Sequence, residues 1–313
     1  MGDDRRMSRR EFVKQSAVLG VALGCTPVLG YAGPAPRGTA VKKPLALVTG
    51  ERVAATRKAI VLLGGMERFV RRGARVVVKP NMSFPHGPER ATNTHPEVVA
   101  AVAAMCLEAG AAEVLVLDYP FNRPEPCLEL SGIRKACAGL KNVHVFALTQ
   151  EKFFKLTPVP QGKVLRQVKI MKDVLASDVL INLPAAKSHT TTGVSLGMKN
   201  LMGVIWDRRY FHSEVDINQA IADLSTAVRV DLVVLDASRA LVSGGPSGPG
   251  TVKEPRTIIA GTDPVAVDAM GVSLVDWYGQ RFSGERVSHI VAAQQMGLGT
   301  LDAGGIDLRK AAL

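Results

Sequence analysis

The sequence predicts an α/β domain: a mainly parallel sheet covered by helices on both faces, with an inserted β-hairpin. Three observations predict it. Short apolar runs alternate with helix-length segments; the apolar runs contain few polar alternations, as strands buried on both faces do; and the loops after several of these runs are dense in polar side chains.

Taken in order, residues 44–48, 74–79, 113–118 and 143–148 read as strands. Between them, residues 53–71 and 96–108 read as helices, stopped by Gly73 and Gly110, and residues 120–140 as a third helix or a helix with a loop. Residues 153–170 break the alternation with two extended segments about Gln161-Gly162, the inserted hairpin. A strand resumes at 178–183. Helices follow at 193–202 and 215–228, strands at 232–236 and 257–260, and helices at 264–278 and 287–296 finish the chain. No internal repeat interrupts this order.

Ahead of the domain, Ser8-Arg9-Arg10-Glu11-Phe12-Val13-Lys14 precedes the uncharged apolar run 17–24. An arginine pair before a short apolar run predicts a twin-arginine signal peptide over residues 1–32, a linker over 33–43 and the α/β domain over 44–313. Gly30-Tyr31-Ala32 offers a cleavage site, and Val21-Ala22-Leu23-Gly24-Cys25 offers a second that would make Cys25 a lipidated first residue. The chain is thus expected to meet the twin-arginine translocase and to be exported, either periplasmic or anchored on the outer side of the membrane through Cys25. No membrane span is expected in the mature protein, because the apolar run is shorter than the roughly 20 residues a span needs. Folding before export favours a protein that carries a cofactor.

The 39 Lys and Arg against 28 Asp and Glu give a formal net charge of +11, and most of that excess lies beyond the leader. A basic surface suits anionic small molecules. Nucleic acid is not expected, since no basic run is interleaved with aromatic residues that stack bases. Beyond the leader stand Cys106, Cys127 and Cys137 with no Cys-x-x-Cys spacing, so neither an iron–sulfur cluster nor a zinc knuckle is expected. Cys106 reads as a core residue; Cys127 and Cys137 are able to pair in an oxidising compartment.

In parallel sheets, ligands bind at the carboxyl ends of the strands, which directs attention to four clusters. Lys79-Pro80-Asn81 ends one strand, and its loop leads to Thr94-His95-Pro96, where Thr94 or His95 starts a helix and Pro96 takes its first position. Lys187-Ser188-His189, three threonines and Lys199-Asn200 follow another strand; Lys187 and Lys199 suit phosphates or carboxylates, and His189 suits proton transfer or a metal. Arg208 and Arg209 suit a carboxylate, or form a basic turn. Asp236 ends a further strand and can take a cation or orient His189, whereas Asp263 before Pro264 reads as a helix cap.

Together these phrases resemble the domain-of-unknown-function 362 family of prokaryotic proteins. The matching residues are Lys79-Pro80-Asn81, Thr94-His95-Pro96-Glu97, Lys187-Ser188-His189, Lys199-Asn200, Gly203, residues 218–224, Gly245-Pro246 and residues 261–268. Some members carry an appended iron–sulfur module whose cysteines are missing here. The chain more distantly resembles the nickel-pincer lactate racemases. That likeness implies His95 and His189 as acid and base, with Lys187 or Lys199 anchoring a cofactor. The expectation is an exported enzyme or cofactor-dependent protein acting on a small carboxylate or phosphate. It would use Lys79, Asn81, Thr94, Lys187, Lys199 and Asn200 for binding, His95 and His189 for protons, and Asp236 as a metal ligand. The cofactor is expected to be a metal ion or a metal-containing organic group. The rival is a non-catalytic anion- or metal-binding protein of the cell envelope.

Overall fold

A computed structural model of the protein describes residues 42–313. The expected signal peptide, its cleavage sites, Cys25 and nearly all of the linker lie outside the described residues.

The first half lays down β1 (Lys43–Thr49), α1 (Arg52–Leu62), β2 (Arg75–Pro80), α2 (Pro96–Glu108), β3 (Glu113–Asp118), α3 (Pro124–Leu130), α4 (Ile133–Cys137) and β4 (Val143–Ala147). Glu51 starts α1 by accepting the Val53 and Ala54 N–H groups. Gly64 and Gly65 end that run with φ of 106° and 88°, so the expected helix over 53–71 is cut to its first three turns. The segment 120–140 is likewise two short helices, separated at Gly132 with φ 74°.

The inserted hairpin forms a separate two-stranded sheet, β5 (Phe154–Pro158) with β6 (Gln167–Met171). Then come α5 (Lys172–Ala176), β7 (Val179–Leu183), β8 (Ala185–His189), β9 (Gly193–Ser195), α6 (Gly197–Asn200), α7 (Arg208–Ser213) and α8 (Ile217–Ala227). The last third is β10 (Leu232–Leu241), β11 (Val252–Lys253), β12 (Thr257–Gly261), α9 (Pro264–Ser273), α10 (Ser288–Gln295) and β13 (Ile306–Ala312).

The main sheet runs in the order β13-β1-β12-β10-β7-β2-β3-β4. Its pairs are parallel except at β12, which is antiparallel to both β1 and β10. Alternate residues feed two cores. Val76, Val78, Val116 and Ile181 face α1 and α2, packing with Ile60, Val98 and Val102. Val77, Leu115, Leu180 and Leu235 face the other way, with Ile221, Val272 and Ile290 of α8, α9 and α10. The strands are therefore apolar at nearly every position.

Two expectations are corrected. The polar stretch after β7 is not a loop but the hairpin β8–β9; β8 also lies along β10, which extends to Leu241. The chain ends in a strand rather than a helix: β13 pairs with β1 over seven positions, from Lys43↔Ile306 to Thr49↔Ala312. Cys127 and Cys137 are buried free thiols and form no disulfide, and burial pushes both up to about 11. Cys106 is a fully buried core residue on α2, as expected.

Because β13 covers one edge of β1, removing residues 306–313 should lower the thermal midpoint and expose a bare strand edge. Concentration-dependent association in light scattering should accompany it; a truncated chain that stays monomeric with an unchanged midpoint would contradict this role for β13.

Candidate active site

The strand ends converge on buried polar groups. Lys79 on β2 lies in register with Asn182 on β7, and Asp118 ends the neighbouring β3. Lys79, Asp118 and Asn182 are all at most 1% exposed, so each needs a partner inside the protein. Lys79 Nζ sits 2.9 Å from Asp118 Oδ1 and donates to the Pro80 carbonyl (2.7 Å) and to Asn200 Oδ1 (2.8 Å). The second Asp118 oxygen accepts the Met82 N–H at 2.9 Å. A Cβ at Gly203 would overlap both Asp118 Oδ1 and the Lys79 ammonium, so only glycine lets that segment cover the pair.

Asn200 joins the strand ends to one another. Its Oδ1 accepts from Lys79 and from Asn81 Nδ2 (3.1 Å), while its Nδ2 donates to the Lys79 carbonyl (3.2 Å) and to Asn182 Oδ1 (2.8 Å). Asn81 Oδ1 in turn accepts from Lys187 Nζ at 3.0 Å. Thr94 fastens the loop that follows: its hydroxyl accepts the Asn81 N–H (2.8 Å) and donates to the Leu183 carbonyl (2.7 Å). Lys79, Asn81, Thr94, Lys187 and Asn200 are thus one hydrogen-bonded assembly.

Lys187, on β8, is 1% exposed; it also donates to the Thr92 carbonyl (2.6 Å), and its ammonium lies 4.6 Å from the centre of the Phe84 ring. Burial, reinforced by the nearby charges of Lys79 and Lys199, lowers it to about 7. Lys199, on α6, is 7% exposed, and its hydrogen-bond partner is the Met202 sulfur at 3.3 Å. Burial, with a further contribution from Arg208, lowers it to about 8. Arg208, on α7, lies 4.2 Å from the Tyr119 ring centre and donates to the Pro120 carbonyl. Burial pulls its guanidinium below the usual value as well. Among the described residues, neither Lys187 nor Lys199 has a carboxylate within ion-pair distance.

The two predicted histidines have different partners. His189 ends β8, and its Nδ1 faces the N–H groups of Thr191 (3.2 Å) and Thr192 (3.3 Å), which leaves its proton on Nε2. Burial and the positive charges of Lys199 and Lys187 hold it down at about 3. His95 is the residue that starts α2, its Nδ1 accepting the Glu97 N–H at 3.3 Å. Burial, with Arg239 and Arg52, lowers it to about 4. The charges that act on His95 differ from those that act on His189. Asp236 belongs with His95: Oδ2 accepts the His95 N–H (2.8 Å) and Oδ1 accepts the N–H and hydroxyl of Ser238. Its carboxylate fixes the start of α2 rather than orienting His189.

A directly held metal does not fit this donor set. Among the described residues, no three His, Cys, Asp or Glu side chains converge on a common point, and the groups that do converge are ammonium and guanidinium.

Two site residues escaped the sequence reading, Asp118 and Asn182. Both were legible as polar side chains at the ends of otherwise apolar strands. His289, on α10, is also buried near Lys199, with both ring nitrogens unpartnered and its titration lowered to about 3 by burial. Nothing in its sequence surroundings marks it.

Replacing Asp118 by Asn leaves Lys79 buried without its counter-charge, and should cost about 3–5 kcal/mol in urea unfolding. Pairing that change with Lys79→Met should recover a good part of the loss. A double variant less stable than Asp118→Asn alone would show that the ion pair is not what the site is built around.

Comparison with known proteins places this arrangement. Thylakoid-associated protein sll1697 of Synechocystis sp. is 30% identical over 227 residues, 70% of this chain and 68% of its own length. The lactate racemase apoprotein from Thermoanaerobacterium thermosaccharolyticum superposes with a TM-score of 0.46 at 14% identity, covering 76% of this chain. A protein from Thermotoga maritima gives 0.43 at 13% identity, covering 80%. This chain spans 58% and 60% of the lengths of those two structures. Residues 76–273, which run from β2 to the end of α9 and hold the whole assembly around Asn200, match one family, and the chain belongs to it: Domain of unknown function (DUF362).

Proposed function

We propose that the protein is an exported enzyme or cofactor-dependent protein that takes a small anion, a carboxylate or a phosphate, between Lys187, Lys199 and Arg208. The observation that carries this reading is the pair of buried lysines that, among the described residues, have no carboxylate within ion-pair distance. A buried cation is costly unless something neutralises it, and an anionic ligand would do so. Phosphate or carboxylate oxygens would accept from both ammonium groups and from the Arg208 guanidinium. His189, neutral and protonated on Nε2, would add a donor rather than remove a proton. The groups able to exchange protons near neutrality are Lys187 at about 7 and Lys199 at about 8, within the range useful for general base or amine chemistry. Export is supported by the arginine pair and apolar run at the N-terminus. Among the described residues no helix is long and apolar enough to cross a membrane.

The electrostatics set a direction for pH. Both lysines titrate lower in the folded chain than when unfolded, so the unfolded chain holds more protons above about pH 7 and the unliganded protein gains stability as pH rises from there. An anion reverses this by favouring the charged amines. Binding of inorganic phosphate or oxalate, followed by calorimetry in buffers of different ionisation enthalpy, should take up roughly one proton per anion at pH 8 and weaken as pH rises further. Lys187→Ala and Lys199→Ala should each weaken binding about tenfold or more, the cost of one charge-assisted contact. Binding without proton uptake, or unchanged in both variants, would remove the reading.

A further inference from the structure

The turn that carries Lys199 and Asn200 is fastened from outside the anion crevice. Asp268, on α9, is fully buried; its two oxygens accept the N–H groups of Gly197 (2.7 Å) and Met198 (2.9 Å) at the start of α6. Gly197 permits the close approach: a Cβ there would lie 2.7 Å from Asp268 Oδ1 and 3.3 Å from Val233 Cγ1. From β7, Asn182 Nδ2 holds the other side of the same residue, donating to the Gly197 carbonyl at 2.7 Å. Among the described residues, no cation lies within ion-pair distance of the carboxylate. What faces it from α6 is backbone N–H, and neither Lys199 on that turn nor His289 on α10 acts on it. Ser or Asn would suffice for ordinary capping, so a fully desolvated, unpaired carboxylate here is an expensive way to hold one short turn.

We propose that Asp268 is a positioning residue for the anion site, its ionised carboxylate holding residues 197–200 in the conformation that directs Lys199 to the ligand and Asn200 to Lys79 and Asn81. The assignment of Lys199 to a ligand rests on the function proposed above; the fastening of the turn does not. Burial raises the Asp268 carboxyl to about 7 against the opposing pull of its two N–H bonds, so its charge changes near neutrality. Once protonated, one oxygen becomes a donor facing an N–H donor, and one of the two bonds is lost. The folded chain binds this proton more tightly than the unfolded one, so the group's contribution to stability falls as pH rises from about 4 to about 7, while the turn becomes better held. Ionisation trades stability for placement.

The test is an NMR titration of the Gly197 and Met198 amides from pH 5 to 9 in the whole chain and in Asp268→Asn, with the dissociation constant for inorganic phosphate measured alongside. The wild-type amides should move with a midpoint near 7, and in Asp268→Asn they should not titrate. At pH 8, Asp268→Asn should bind phosphate about tenfold more weakly, having lost a charged acceptor for the turn. Gly197→Ala, which keeps the carboxylate and pushes the turn away from it, should weaken phosphate to a similar extent. As pH rises from 5 to 8, the wild-type chain should lose stability relative to Asp268→Asn. Amides that titrate alike in wild type and Asp268→Asn, or variants that keep wild-type phosphate affinity, would overturn the assignment. Absence of phosphate binding to the wild-type chain would instead remove the anion reading, and the amide titration would still decide whether Asp268 governs the turn.

Discussion

The buried Lys79–Asp118 pair is the constraint around which the crevice is organised. Neither group reaches water, so the ends of β2 and β3 cannot separate without stranding a charge. Coulomb attraction alone does not satisfy an ammonium with three protons, and the remaining donors go to Asn200 and the Pro80 carbonyl. Asn200 is thereby drawn in from α6 and joins Asn81 and Asn182 to the same group. Gly203 follows from the same requirement, since any side chain there would displace the pair it covers. Much of the family's motif thus reads as the hydrogen-bond shell of one ion pair.

Once that pair is neutral, the remaining charge in the crevice is uncompensated. Lys187 and Lys199 lose hydration and have no carboxylate within ion-pair distance among the described residues, and burial makes each resist protonation. A protein that needed only stability would place apolar residues there. On the reading proposed above, keeping amines there at a cost to stability is offset by the binding energy of an anion. The aromatic rings beneath Lys187 and Arg208 soften that cost, since a cation over a ring face recovers part of the attraction water would have supplied.

The fold and most of this assembly were legible in the sequence because parallel strands write themselves as unbroken apolar runs, and polar residues at their ends stand out against them. Lys79, Asn81, Lys187 and Asn200 were found that way, and the structure joins them through direct hydrogen bonds. Two kinds of information were missing. The hairpin β8–β9 carries Lys187, Ser188 and His189 on a buried strand, and polar residues that are buried only because they serve one another have the composition of a loop. The terminal strand β13 was unreadable for the opposite reason. At the sheet's edge its alternation of charged and apolar residues carries too little hydrophobic signal to set it apart from a tail.

The histidines show why residue type is a weaker guide than environment. A histidine near a lysine suggests proton transfer because free imidazole titrates near neutrality and free ammonium far above it. Burial, with nearby cations, lowers both kinds of group here and leaves the amines rather than the imidazoles near neutrality: His189 falls to about 3 and His95 to about 4, while Lys187 and Lys199 descend to about 7 and about 8. Burial is the largest cause for all four groups, with Arg239 and Arg52 adding to it at His95, and Lys199 and Lys187 at His189. Each histidine Nδ1 is in addition held by backbone N–H groups, and the imidazole that remains is a fixed donor. Near neutral pH the amines rather than the imidazoles therefore change protonation, and on the reading proposed above an anion that stabilises the ammonium form would set the protonation state of the crevice.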